Sequence, residues 1–209
     1  MGQRFPRSAT NIIAVLTALA WVIALLLGQT EQAAYQLGFI PLRMTHAMAS
    51  AAVPAALTPL TATLVHSGLI HLGFNLLMLL WCGTAVERTI GPLGLVILYV
   101  VGAYAAAAAQ WAADPAGIVP TIGASGAISA VVGAYALSFG RAKAFTNNLR
   151  LNRWINVAWL LAAWVVLQMM MGWLAGGQGY LLATPAHVGG FAAGLLLQRP
   201  LLLWHYRKA

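Results

Sequence analysis

The sequence predicts an all-α, polytopic membrane protein, a bundle of six transmembrane helices with both termini on the cytoplasmic side. Three observations predict it. Of 209 residues, 61% are hydrophobic and only 7% charged, where a soluble domain carries about a quarter charged residues. The apolar residues collect into runs long enough to cross a hydrocarbon core about 30 Å thick. The lysines and arginines lie in the short segments between those runs, biased to one side of the implied membrane.

Residues 1–10 are polar and basic, with Arg4 and Arg7. Residues 11–28 form the first span. Gln32-Ala33-Ala34 loosely resembles a cleavage site, but the apolar run is long and further spans follow, so an uncleaved helix is expected. Residues 29–58 make a long first loop with Pro41, Pro54 and two apolar pieces, residues 37–40 and 48–57. So hydrophobic a loop is expected to lie in the membrane interface and to be partly helical. The second span is expected over 60–86, closed by Glu87 and Arg88, and the third over 93–113, where Ala105 to Ala109 reads as helical filler. A loop with Asp114 and Pro115 leads to the fourth span, 125–140. A basic segment from Arg141 to Arg153 precedes the fifth, 154–174, and an uncharged glycine-rich loop precedes the sixth, 185–203. Residues 1–209 are read as one membrane-embedded domain.

Six spans place every lysine and arginine except Arg43 on the side of the termini, which the positive-inside rule assigns to the cytoplasm. The net charge of +8 is therefore a topology signal, and no nucleic-acid partner is expected. The single cysteine, Cys82, excludes an internal disulfide and a Cys-x-x-Cys metal site.

Polar residues inside the spans are costly and mark function or packing. Counted from the cytoplasmic ends at 1.5 Å per helical residue, Ser125 and His71 stand roughly 24 Å up, and Asn75 and His187 roughly 18 Å up. Three helices thus bring polar groups to one layer in the outer half of the membrane. His71 and Asn75 share a helix face, as do His187, Gly190 and Gly194. Ser125, Ser129 and Gly133 form a second stripe of small residues. Two such stripes allow close helix packing in lipid, so helices four and six are expected to touch, with His187 facing Ser125. Ser125 begins its helix between Gly123 and Gly126, where backbone N–H groups lack partners. A serine attacking a carbonyl there has donors aimed at the developing oxyanion, and His71 and Asn75 can add to them. The acids are only Glu31, Glu87 and Asp114, none at the depth of His187. The reading is a Ser–His dyad without a third member.

At these residues the chain resembles the rhomboid family of intramembrane serine proteases. The pattern His66-x4-His71-x3-Asn75, the run Gly123-Ala124-Ser125-Gly126 and the pattern Ala186-His187-x2-Gly190-x3-Gly194 occur in family order and on the expected helices. The resemblance covers nearly the whole chain. It implies that Ser125 is the nucleophile and His187 the general base, and that His71 and Asn75 help the Ser125 amide hold the oxyanion. It also implies cleavage in or near a transmembrane segment of a protein substrate, with no cofactor and no metal. Glu87 matches a family position closing helix two and is read as structural. Two positions depart from the family pattern. Leu57-Thr58 stands where many members carry Trp-Arg in the first loop. Ser129 stands where many bacterial members carry a tyrosine packed on the catalytic histidine, so another group must orient His187, with Phe191 one turn away as a candidate.

Blander readings stand beside these. Gly-x-Ser-Gly alone in a membrane helix is more often packing than catalysis; the shared depth, shared faces and family pattern reverse those odds. His66 is expected to turn away from the His71 and Asn75 face and to serve as a structural partner in the first loop. His46 and His205 are expected at the interface. The tryptophans (Trp81, Trp111, Trp154, Trp159, Trp164 and Trp173 among them) read mainly as interface belt and lipid-facing bulk. A metal transporter or metalloenzyme using His66, His71 and His187 is disfavoured by the position of His66 and the lack of carboxylates. The alternative within the family is a catalytically weak or inactive protein that binds and escorts membrane proteins; such proteins typically lack the Ser or His, and both are here. The absence of an organellar presequence and the minimal core lead to the expectation of a bacterial cytoplasmic membrane, with the site opening to the external side.

Overall fold

The computed structural model describes residues 8–46, 53–140, 146–174 and 183–207 and contains no strand among them. Its helices are α1 (Ala9–Leu26), α2 (Thr30–Leu37), α3 (Thr58–Thr61), α4 (Leu69–Met78), α5 (Thr84–Ala113), α6 (Ser125–Phe139), α7 (Leu149–Leu174) and α8 (Thr184–His205). Among the described residues three helical stretches are both long and apolar enough to cross a membrane: Ala9–Leu26, Leu69–Ala113 and Leu149–Met170.

The second stretch joins α4 to α5 through a π-helical segment, Leu79–Gly83. As one rod it would extend about 68 Å, over twice the hydrocarbon core. Gly91 divides it. Its φ of +76° lies in the left-handed region, and Pro92 follows to open a new helix. Each half is then of membrane length. The expected second span needs correction at its start. Residues 58–64 form only short helical turns, Val65 to Gly68 are not helical, and the long helix begins at Leu69, nine residues later than expected. Pro59 sits at the start of α3 and sets where that short turn begins, but a run of apolar residues does not show where an interfacial turn gives way to a span. The fifth helix likewise begins at Leu149, within the basic segment, because Asn148 caps it through Oδ1 to the Arg150 and Leu151 N–H groups.

Helix α1 is fixed to this hairpin by one carboxylate. Glu87 accepts from the Ala9 N–H (2.8 Å), the Thr10 N–H (2.9 Å) and the Ser8 and Thr10 hydroxyls (2.9 and 2.5 Å). A long-range acid thus caps a helix whose first N–H groups lack intrahelical partners. Gly83 leaves room for Thr10 to approach. Glu87→Gln, which halves the acceptor capacity and removes the charge, is expected to destabilise the fold by about 1–2 kcal/mol. Unfolding midpoints in detergent measure it.

The centre of the molecule is the triangle α5, α6 and α8, where small residues replace side chains with backbone contact. A Cβ on Gly190 would strike the Gly126 carbonyl oxygen, one on Gly194 the Ala130 carbonyl oxygen, and one on Gly133 the Phe191 carbonyl oxygen. The expected close packing of the fourth and sixth helices is borne out, with Gly126 and Ala130 facing Gly190 and Gly194. The alanine run is not filler. Gly189 closes on Ala105 and Ala109, and Gly126 on Ala106, so short side chains on α5 are what admit the other two helices. A half-buried hydrogen bond from Gln198 to Ser138 (3.0 Å) ties α8 to α6 further along.

The first loop is partly helical, as expected, with α2, α3 and short 3₁₀ turns at Pro41–Met44, Ala55–Leu57 and Ala62–Leu64. Residues 1–7 with Arg4 and Arg7, residues 47–52 with the start of the second apolar piece, the start of the basic segment (141–145), most of the glycine-rich loop (175–182) and residues 208–209 with Lys208 lie outside the described residues.

Candidate active site

Ser125 is the first residue of α6. The chain reaches it through a clamped approach. Phe39 and Thr121 exchange backbone hydrogen bonds (3.0 and 2.7 Å), and the Leu42 N–H donates to the Gly117 carbonyl (3.1 Å). Gly123 follows at φ +105°, its N–H donating to the Ala62 carbonyl (2.9 Å). The first loop therefore holds the turn that presents Ser125. It does so without the family's Trp-Arg. Instead the Arg43 guanidinium, buried at 7% exposure, donates to the Val53 carbonyl; Tyr104 donates to the Ala56 carbonyl (2.9 Å) and Thr61 to the Leu37 carbonyl (2.6 Å).

His187 stands in the first turns of α8, after Pro185, with its N–H on the Ala183 carbonyl. Its Nε2 lies 2.8 Å from Ser125 Oγ, and both residues are buried (5% and 8% exposed). His187 Nδ1 has no hydrogen-bond partner among the described residues.

His71 and Asn75 come from successive turns of α4. Asn75 Nδ2 donates to the His71 carbonyl (3.0 Å), and His71 Nδ1 lies 3.2 Å from Ser67 Oγ. Both side chains face the Gly123 turn: a Cβ on Gly123 would lie 2.6 Å from His71 Nε2 and 3.8 Å from Asn75 Nδ2. Glycine is thus required there twice, for the positive φ and for the imidazole that fills the space of a side chain.

His66 differs from its expected place. Because α4 starts only at Leu69, His66 is on no helix face. Its ring packs edge-on against His71 with centroids 4.9 Å apart, and its Nε2 accepts from the Ala124 N–H (3.4 Å). It supports the serine turn directly, and its carbonyl accepts from Trp21 Nε1 (3.0 Å) on α1. Among the described residues no three His, Cys, Asp or Glu side chains are grouped as a metal site. A cavity of about 30 Å³, room for about one water molecule, touches Ser125 and Gly123 and is lined by Thr63, Thr121 and alanines of α5.

One tryptophan must be reassigned. Trp81, Trp154, Trp159 and Trp173 are exposed on the apolar surface, as expected, but Trp164 is 3% exposed. Its Nε1 donates to Ser129 Oγ (2.8 Å), and Ser129 donates to the Ser125 carbonyl (2.7 Å). Its ring meets that of His187 edge-on, centroids 6.5 Å apart at 77°. Among the described residues the aromatic ring that meets the His187 imidazole is that of Trp164, while Phe191, the candidate from the sequence, is buried with its backbone against Gly133. The sequence holds a signal for it: Gln168, four residues on, marks the inward face of an otherwise apolar span.

Fold and site together define a helical membrane protein that sets a buried serine–histidine pair at the N-terminus of a central helix. The Rhomboid domain family matches residues 55–204, most of the chain, and the chain belongs to that family. Curated relatives include RHOMBOID-like protein 4 of Arabidopsis thaliana, 28% identical over 145 residues, which are 69% of this chain and 34% of that protein. Rhomboid protease GluP of Bacillus subtilis is 39% identical over 75 residues (36% of this chain, 14% of that protein). Rhomboid-type serine protease 2 of Emericella nidulans is 28% identical over 141 residues (64% and 24%). The chain therefore spans well under half the length of these relatives.

Proposed function

We propose that this chain is an intramembrane serine endopeptidase that hydrolyses peptide bonds in or near the transmembrane segments of other membrane proteins. The observation that carries the reading is the 2.8 Å approach of Ser125 Oγ to His187 Nε2 at a helix N-terminus. With the imidazole proton on Nδ1, Nε2 accepts the Ser125 proton as Oγ attacks the peptide carbonyl. The imidazolium then returns that proton to the leaving amine, and water repeats the cycle on the acyl-enzyme. The Ser125 amide, a free donor of the first helical turn, stabilises the oxyanion together with His71 and Asn75 once substrate draws them in. Gly123, Gly126, Gly190 and Gly194 serve by letting backbones meet, and His66 by bracing the serine turn.

In this reading all 209 residues form one membrane-embedded unit that crosses the bilayer six times, termini inside, in a bacterial cytoplasmic membrane. The site lies in the outer half of the membrane, toward the periplasmic side. A substrate helix has its carbonyls tied in hydrogen bonds, so segments with helix-breaking residues near the scissile bond are preferred. Incubating the reconstituted protein with single-span substrates, with and without such residues, tests it. Cleavage within or beside the span of the former is expected. Cleavage confined to soluble regions, or none of any substrate, would contradict it.

Gly123→Ala is expected to lower turnover about 100-fold while the fold survives, because the methyl displaces His71 from the oxyanion side. Steady-state rates beside unfolding midpoints check this.

A further inference from the structure

The three sequence motifs leave one side of the dyad unexplained. His187 Nδ1 has no partner among the described residues, so no hydrogen bond from them fixes the ring at that nitrogen. Ser129, four residues after the nucleophile, is fully buried and has a hydroxyl able to rotate. Trp164 meets both. Its indole N–H fills the acceptor side of Ser129 Oγ and so directs the hydroxyl proton to the Ser125 carbonyl, the backbone carbonyl of the attacking residue itself. Its ring edge bounds the His187 imidazole. Behind it Phe74 stacks on the indole (5.9 Å, 22°), and Phe74 precedes Asn75 on α4. One side chain on α7 thus touches the elements carrying the nucleophile, the base and the oxyanion donors.

We propose that Trp164 is a positioning residue for the dyad, acting through Ser129 on the Ser125 backbone and through its ring edge on His187; this rests on the reading of Ser125 and His187 as nucleophile and base. Four of the 22 residues of the Leu149–Met170 stretch are buried. Val157, Trp164 and Gln168 form its buried seam, while Asn152 is buried apart from them against Thr146 at the start of the helix.

The test compares wild type with Trp164→Phe, Ser129→Ala, the double variant and Trp159→Phe, a control on the exposed side of the same helix. Each is reconstituted and assayed for kcat and KM on a cleavable single-span substrate, for the rate of labelling of Ser125 by a fluorophosphonate, and for its unfolding midpoint. Trp164→Phe and Ser129→Ala are each expected to lower kcat and the labelling rate about tenfold, the worth of one buried hydrogen bond. KM should hold within about twofold, and the double variant should fall little further, because both singles break the same link. Trp159→Phe should behave as wild type. Wild-type kcat and labelling in Trp164→Phe, with only a lowered midpoint, would overturn the proposal and leave the indole as core packing. If Trp164→Phe does not fold, Ser129→Ala decides between the same two outcomes. Wild type that labels nowhere would instead remove the dyad reading, and the positioning role with it.

Discussion

Ser125→Ala is expected to lower the rate of substrate cleavage by about 10⁴-fold or more, and His187→Ala by a similar factor, each about 5 kcal/mol of transition-state stabilisation. In the proposed mechanism Ser125 Oγ and His187 Nε2, 2.8 Å apart, act as one unit across a single hydrogen bond, so removing either leaves the other without a task. The double variant should therefore be no slower than the worse single. Residual cleavage above the uncatalysed rate is expected to persist, because the amide at position 125, His71 and Asn75 remain to polarise the carbonyl. Variants that both retain wild-type turnover would place the chemistry elsewhere. Losses that multiply in the double variant would separate the two residues into independent roles.

The largest expected effect on stability is at Gly194. A Cβ there would run into the carbonyl oxygen of Ala130 and within 3.0 Å of its Cα, and neither can give way without moving α6 against α8. Gly194→Val is expected to cost about 3 kcal/mol or more, enough to deplete folded protein in the membrane. Gly73 is the matched control. It lies between His71 and Asn75, yet its Cβ would meet nothing within 4 Å. Gly73→Ala should be neutral or stabilise α4 by up to about 1 kcal/mol, since alanine is the better helix former. Comparing unfolding midpoints of the two variants separates a glycine that packs backbone on backbone from one that is merely present.

These contrasts show where the sequence was sufficient. Spacing put His187, Gly190 and Gly194 on one stripe and, with the shared depth, set the histidine toward Ser125; the expected α6 stripe of Ser125, Ser129 and Gly133 was one residue off, since Gly190 and Gly194 close on Gly126 and Ala130. Inventory left only Glu31, Glu87 and Asp114 as acids, which is why the proposed site is a pair. Helix-face arguments worked where a helix was continuous, as for His71 and Asn75, and failed for His66, because the expected span began before the real helix. Nothing in an apolar run distinguishes an interfacial turn such as 58–64 from the first turn of a span. Trp164 was missed for a different reason. Tryptophan is common at membrane interfaces, and its inward orientation depends on helix α7's rotation, which only the polar Gln168 one turn away betrays. Glu87 was read as structural from its place at a helix end, but its partners are the first residues of α1, 77 to 79 positions away, and no local pattern carries that pairing.

The most direct measurement is labelling by a fluorophosphonate on purified, detergent-solubilised wild type, Ser125→Ala and His187→Ala, with folding checked by unfolding midpoint. Labelling of wild type alone, with the adduct mapped to Ser125, is the predicted result: an activated serine that needs its histidine. Equal labelling of all three would contradict the account by placing the reactive group elsewhere. Folded wild type that does not label at all would contradict it as well, and would favour a family member that binds membrane proteins without cutting them.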